Sequence, residues 1–155
     1  MTITFSTLAI LLPAAIMLHV TEEFMFPGGF QEWYARLVPP KTAKGINSGY
    51  IVWINALMIG ICVLPFYLGN TLPGFSIWYY AVAAAGTNGC FHIWGVAKLK
   101  VYSPGVITGT LLYLPLFIIG TLYFLDSGEL PIYRMIIGIV AGTGYHVISV
   151  IRQGK

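Results

Sequence analysis

Five long apolar stretches constrain the fold of this chain more than any other feature of its sequence. They cover residues 5–24, 50–68, 75–98, 105–125 and 131–151. About 20 helical residues, each rising about 1.5 Å, cross the roughly 30 Å hydrocarbon core of a bilayer. Of the 155 residues, 57% are hydrophobic and 8% are charged, whereas about 25% are charged in soluble domains. The sequence therefore predicts an all-α integral membrane protein, in which residues 1–155 form one bundle of five transmembrane helices.

The first apolar stretch has the length of a signal peptide without its other features. Residues 1–4 carry no basic side chain, and no small-residue cleavage motif follows the apolar run. The run continues instead into the acidic pair Glu22 and Glu23. We therefore expect this stretch to be a membrane helix.

Lysine and arginine are spread unevenly over the segments that connect these stretches. The first and third connections and the C-terminal tail hold most of them: Arg36, Lys41, Lys44, Lys98, Lys100, Arg152 and Lys155. The second connection has no charge, and the fourth carries Asp126 and Glu129, with Arg134 just inside the next helix. Because cytoplasmic loops are enriched in Lys and Arg, we expect the N-terminus outside and the C-terminus in the cytoplasm. The chain would then be a multi-pass protein, of the inner or plasma membrane if bacterial.

A shorter segment, residues 29–37, has a different pattern. Phe30, Trp33, Tyr34 and Leu37 recur at helical spacing, and the polar residues between them fall elsewhere on the helical wheel. The segment is too short to span a bilayer. It predicts an amphipathic helix in the cytoplasmic interface, with an ordered loop as the alternative.

All three histidines of the chain lie near the end of a predicted span. His19, His92 and His146 end the first, third and fifth spans, which run in the same direction. Glu22 and Glu23 follow His19 at i+3 and i+4 and so lie on the same face of the helix. Five ionisable side chains are therefore expected at one depth, near the cytoplasmic surface.

Such groups need compensation, since each costs about 2.5–3.5 kcal/mol at the centre of a membrane helix. A divalent cation would neutralise the carboxylates and fix the imidazole rings. We expect His19, Glu23, His92 and His146 as metal ligands, and Glu22 and Glu23 as catalytic groups that could exchange roles. Zinc is favoured, with iron or manganese as alternatives. The opposing interpretation is that the histidines only pack and hydrogen-bond between helices, and that the glutamates mark the end of a helix.

Further polar residues cluster at the same end of the predicted bundle. Asn88 precedes His92 by one helical turn, and Asn47 opens the second span. Tyr102 and Thr108 flank the start of the fourth span, where Pro104 suits the first turn of a helix. We expect these four side chains to orient a substrate or to support the metal ligands.

Three short motifs carry a resemblance to a known family. His19-Val20-Thr21-Glu22-Glu23 reads as H-x-x-E-E, residues 88–92 read as N-x-x-x-H, and residues 102–108 read as Y-x-P-G-x-x-T. In this order they resemble the HXXEE-domain family of small multi-span membrane proteins. The resemblance implies a membrane location and a polar site, without a settled reaction. Membrane peptidases of the CAAX-protease type also pair glutamates with histidines, but they carry an arginine where this chain has Pro27.

Several functions fit these features. The leading expectation is a metal-dependent membrane enzyme, a hydrolase rather than an oxidoreductase, which acts on a lipid-like or amphipathic small molecule. The alternatives are a metal-free Glu/His enzyme, a metal or proton carrier without catalysis, and a structural subunit. The net charge of +3 is small and scattered, so no nucleic-acid partner is expected. A homo-oligomer remains open.

Overall fold

The computed structural model of the protein describes residues 3–39 and 48–153, with the side chains of residues 3–39 and 53–152. Within these ranges the chain forms six helices and no strand, so the prediction of an all-α fold is confirmed. The helices are α1 (Phe5–Phe24), α2 (Phe30–Leu37), α3 (Ser48–Leu68), α4 (Leu72–Leu99), α5 (Val106–Ser127) and α6 (Ile132–Gln153). Helix α5 contains a π-helical segment, Gly109–Tyr113.

Three of these helices are long and apolar enough to cross a membrane: Phe5–Phe24, Val106–Ser127 and Ile132–Arg152. The described side chains of α3 begin at Trp53, and the apolar helix from there to Leu68 is shorter. Many large apolar side chains on the outer surface are exposed, for example Leu111 at 65% and Val140 at 64%. An exposed apolar surface of this extent is typical of contact with lipid, so the structure supports a membrane protein.

Helix α4 is the central helix and packs against all the others. Its 28 residues begin after Thr71, whose side chain accepts a hydrogen bond from the backbone N–H of Gly74 and so caps the first turn. Small residues allow close approach along its length. A Cβ at Gly142 of α6 would lie 2.9 Å from the Cα of Ala84, so only glycine permits this crossing.

The short amphipathic helix predicted for residues 29–37 is present as α2. Its buried face consists of Trp33, Tyr34 and Leu37, and it packs on the C-terminal half of α4. The Trp33 ring lies so close to Gly95 that a Cβ there would overlap it. Lys98 of α4 donates a hydrogen bond to the carbonyl of Leu37, 3.1 Å away, and so satisfies the end of α2. These contacts place α2 beside the final turns of α4, where His92 lies.

Candidate metal centre

His19, Glu23 and His92 meet between α1 and α4, in the interior of the bundle. Their exposed fractions are 3%, 5% and 0%. Oε1 of Glu23 lies 3.4 Å from Nε2 of His19 and 3.2 Å from Nε2 of His92. One ligand atom from each of the three residues lies within 4.8 Å of the others. The structure thus brings together one carboxylate and two imidazoles from two helices.

The spacing in α1 explains the relation between two of the three residues. His19 and Glu23 are one turn apart on the buried face of α1, which continues the row of Leu12, Ala15 and Ile16. His92 comes from α4, on the same buried side as Gly89 and Gly95. An apolar helical stripe therefore becomes polar only in its last turns, where the three side chains face one another.

The opposite edge of each imidazole is held by a hydroxyl group. Nδ1 of His19 lies 2.8 Å from Oγ1 of Thr108, and Nδ1 of His92 lies 2.8 Å from Oγ of Ser103. The Thr108 hydroxyl has a single proton, which it donates to Oε2 of Glu22. It must therefore accept from the Nδ1–H of His19. In the neutral ring, Nε2 of His19 then carries no proton, and its lone pair is directed towards Glu23.

That lone pair faces a carboxylate oxygen, which is also an acceptor. The Nε2 atoms of both His19 and His92 are buried, and neither makes a hydrogen bond of acceptable geometry with a described residue. Ligands about 2.0–2.1 Å from a tetrahedral zinc ion are about 3.3 Å apart. The two distances from Glu23 agree with this value. The donor set and its two distances from Glu23 fit a divalent cation.

Glu22 lies outside this group and has another set of partners. Its Oε1 accepts hydrogen bonds from the Tyr102 hydroxyl and the Ile107 N–H, and its Oε2 accepts from the N–H and hydroxyl of Thr108. The two N–H groups belong to the first turn of α5, where helix donors lack intrahelical partners. Glu22 therefore caps α5 from a neighbouring helix. All four interactions engage the carboxylate that the sequence suggested as a catalytic group.

Tyr102 lies in the connection before α5, and its environment favours the protonated hydroxyl. Partial burial, together with the hydrogen bond to the Glu22 carboxylate and the nearby negative charge, raises the pKa of Tyr102 above its usual value. Its O–H therefore remains a donor to Glu22 at neutral pH.

The backbone of Gly105 packs directly against both imidazole rings. Its φ of +98° lies in the left-handed region, and a Cβ there would lie 2.7 Å from Cε1 of His19 and 2.8 Å from Cε1 of His92. Only glycine allows the backbone to approach both rings so closely. The segment 102–108 thus serves the site through Tyr102, Ser103, Gly105 and Thr108.

Two aromatic residues complete the surroundings of the histidines. Trp33 of α2 stacks on His92, with ring centroids 5.4 Å apart at 20°, and Tyr113 packs on His19 with centroids 4.4 Å apart. Tyr113 ends the π-helical segment of α5, which begins where Gly109 crosses Gly89 of α4. Such π-helical turns often occur at functional sites. The aromatic rings restrict both imidazoles and keep water from their faces.

The remaining predicted site residues are placed as follows. His146 donates from Nε2 to the carbonyl of Ala84, 3.3 Å away, and its ring stacks on Phe91. It is outside the group of three potential ligands found among the described residues. The side-chain oxygen of Asn88 is buried without a hydrogen-bond partner in that same part of the chain. Asn47 lies outside the described residues.

Some residues of the site were not singled out by the sequence. Gly105 stands inside the motif that contains Tyr102 and Thr108, so the motif itself carried the signal. Trp33 was predicted on the apolar face of an interfacial helix, but its stacking on a histidine needs the tertiary structure. No local pattern marks Tyr113.

Two adjoining cavities open onto the cluster. The first, which we call the apolar cavity, has a volume of about 230 Å³ and is bounded by His19, Glu23 and Tyr113 at one end and mainly by apolar residues of α1, α3 and α4 elsewhere. The second, which we call the polar cavity, has a volume of about 120 Å³ and is bounded on one side by Phe30 and Tyr34 of α2. Six residues line both cavities: Glu23, Ile54, Asn55, Asn88, Tyr145 and His146.

Comparison with known proteins gives one result. The sequence profile of a family described as "protein of unknown function with HXXEE motif" matches residues 10–120. This range includes all three motifs and ends before His146. No curated protein and no solved structure matches the chain significantly. The match covers more than half of the chain, and the resemblance noted in the sequence is confirmed: the chain belongs to the HXXEE family.

Proposed function

We propose that this protein is an integral membrane enzyme that uses one divalent metal ion, bound by His19, Glu23 and His92, to hydrolyse a lipid-like or amphipathic small molecule. The observation that carries the proposal is the pair of buried Nε2 atoms facing one oxygen of Glu23. Three protein ligands with an open fourth position are the usual arrangement of catalytic zinc, which lowers the pKa of a bound water to about 7. Zinc is the favoured ion, and iron or manganese would suit the same donors.

Electrostatics supports a cation at this place. Glu23 is 5% exposed, and an ionised carboxylate is costly to bury without a partner of opposite charge. No lysine or arginine lines either cavity among the described residues. A divalent ion would supply the missing positive charge and would leave both imidazoles neutral, as ligation requires.

The two glutamates then have different roles. Glu23 is the ligand, and Glu22 holds the segment 102–108, which in turn orients both imidazoles through Thr108 and Ser103. Outer hydrogen bonds of this kind fix ligand orientation and raise metal affinity. We assign proton transfer to His146, because its Nε2–H is committed to the carbonyl of Ala84 and its Nδ1 is then an acceptor. His146 shares the cavities with Glu23.

The arrangement in the membrane is part of this proposal. Five spans, with the N-terminus outside and the C-terminus in the cytoplasm, would place the cluster near the cytoplasmic face. Helix α2 would lie in the interface, since Met25 and Phe26 just before it are 76% and 83% exposed. Substrate could then reach the polar cavity from the bilayer surface.

Elemental analysis tests the metal. Wild-type protein purified without chelator is expected to hold about one metal ion per chain, and His92→Ala is expected to hold none. His146→Ala is the matched control, because it removes an imidazole from the same cavities and is expected to retain the ion. If none of the three proteins contained metal, the proposal would be refuted.

A second candidate follows from the same geometry. A proton shared among His19, Glu23 and His92 could replace the cation, since Glu23 lies within 3.4 Å of both rings. The protein would then be a metal-free Glu/His enzyme or a proton carrier. Wild-type protein without metal but with activity or proton binding that is lost in Glu23→Gln would favour this candidate.

A further inference from the structure

The two cavities adjoin and share part of their lining, and the volume of each is small compared with a complete membrane lipid. An engineered cavity of about 150 Å³ holds one benzene molecule, so the 230 Å³ of the apolar cavity suits about nine carbons, or a range of about six to twelve. The polar cavity, at about 120 Å³, is about half as large and leaves room for a small polar group. Together they match one short chain with a small head group.

The shared wall shows where the two parts of such a molecule would join. Glu23 is part of this shared wall, so the junction lies beside the proposed metal; the other residues that line both cavities are Ile54, Asn55, Asn88, Tyr145 and His146. The side-chain oxygen of Asn88 is buried without a partner among the described residues, and it could accept a hydrogen bond from a head group. The chain side of the junction is bounded by residues such as Ile16, Ala85 and Ile61.

We propose that the apolar and polar cavities together bind a single-chain amphiphile, with an alkyl chain of about six to twelve carbons in the apolar cavity and its polar group beside Glu23. This inference deepens the proposed function and rests on it for the reaction, but not for binding. The ester or amide bond of such a molecule would lie at the metal.

Linear 1-alkanols of four to sixteen carbons are suitable probes, because each has one alkyl chain and one small polar group and is not hydrolysed. The thermal unfolding midpoint of the protein in phosphatidylcholine nanodiscs is measured with each alcohol. At an alcohol concentration near ten times its dissociation constant, we expect the midpoint to rise by about 3 °C for chains of about nine carbons. The rise is expected to be smaller for longer chains. A midpoint that changes steadily with chain length would reflect partition into the bilayer and would overturn the proposal.

Two variants change the apolar cavity without touching the metal ligands. Ala85→Leu adds three carbons inside it and is expected to abolish the maximum, while Ile61→Ala enlarges it and is expected to move the maximum by two or three carbons to longer chains. Both are compared in identical nanodiscs, so effects on the bilayer cancel. If Ala85→Leu does not fold, Ile61→Ala alone decides, and an unmoved maximum contradicts the proposal.

His92→Ala separates this inference from the proposed function. This variant is expected to lose the metal and to keep the chain-length maximum. Stoichiometric metal in the wild type without any maximum would refute the binding inference alone. A maximum in a wild-type protein that binds no metal would refute the metal enzyme alone.

Discussion

The hydroxyl of Thr108 joins the candidate metal centre to the cap of α5, and Thr108→Val removes it with little change in shape. The variant leaves the Nδ1–H of His19 buried without an acceptor, which costs about 1–3 kcal/mol. It also removes one of the four donors to Glu22. Since outer hydrogen bonds to metal ligands contribute about 10–100-fold to affinity, we expect metal binding to weaken by about that factor.

Competition with a chromophoric chelator measures this affinity in detergent. Thr108→Ser keeps the hydroxyl and is expected to stay within about threefold of wild type. Thr110→Val makes the same chemical change at an exposed position of α5 and controls for altered hydrophobicity. Equal affinity in Thr108→Val and wild type would refute the argument that Thr108 orients His19.

Three further predictions follow from the surroundings of the site. Gly105→Ala is expected to lower metal affinity at least tenfold and to destabilise the protein, because its Cβ would strike both imidazoles; Gly128→Ala, at φ +69° in open space, measures the backbone cost alone by the same assay. Gly95→Ala is expected to displace the ring of Trp33 and so release α2, which limited proteolysis and tryptophan fluorescence would detect. Tyr102→Phe is expected to destabilise the protein by an amount that is constant from pH 6 to 9 in denaturant titrations. Because the pKa of Tyr102 is raised in the folded protein, its hydroxyl stays protonated over this pH range. The stability that the hydroxyl contributes is lost only as the pH rises through the pKa of the folded state. If the difference in free energy of unfolding between wild type and Tyr102→Phe decreased as the pH rose from 6 to 9, this prediction would be wrong.

The sequence predicted the helical fold, and two of the three residues of the candidate metal centre, for local reasons. His19 and Glu23 share a helix, so their i, i+4 spacing fixes their relation before any tertiary contact is known. His92 required the additional assumption that helix ends meet at one depth, and the structure does bring it to Glu23.

The division of labour between the glutamates could not be read from spacing. Glu22 and Glu23 are adjacent and lie on either side of the direction of His19, so either could face the metal. What separates them is the start of α5, whose free N–H groups engage Glu22. Ile107 and Thr108 are separated from Glu22 by 85 and 86 positions in the sequence, so no local pattern reveals this contact.

His146 shows the limit of the argument from depth. It ends a predicted span, as His19 and His92 do, and it lines the same cavities. Its Nε2 is directed instead to the carbonyl of Ala84 on α4, where the close crossing at Gly142 brings the two helices together. Equal depth therefore did not imply a common direction of the side chains.

X-ray absorption spectroscopy of the metal-loaded protein tests the central claim most directly. The account predicts a first shell of two imidazole nitrogens, one carboxylate oxygen and one water oxygen at about 2.0–2.1 Å, unchanged in His146→Ala. Glu23→Gln is expected to lose the carboxylate contribution together with most of the metal. A shell with three imidazoles, with sulfur, or with oxygen alone would contradict the site built on His19, Glu23 and His92.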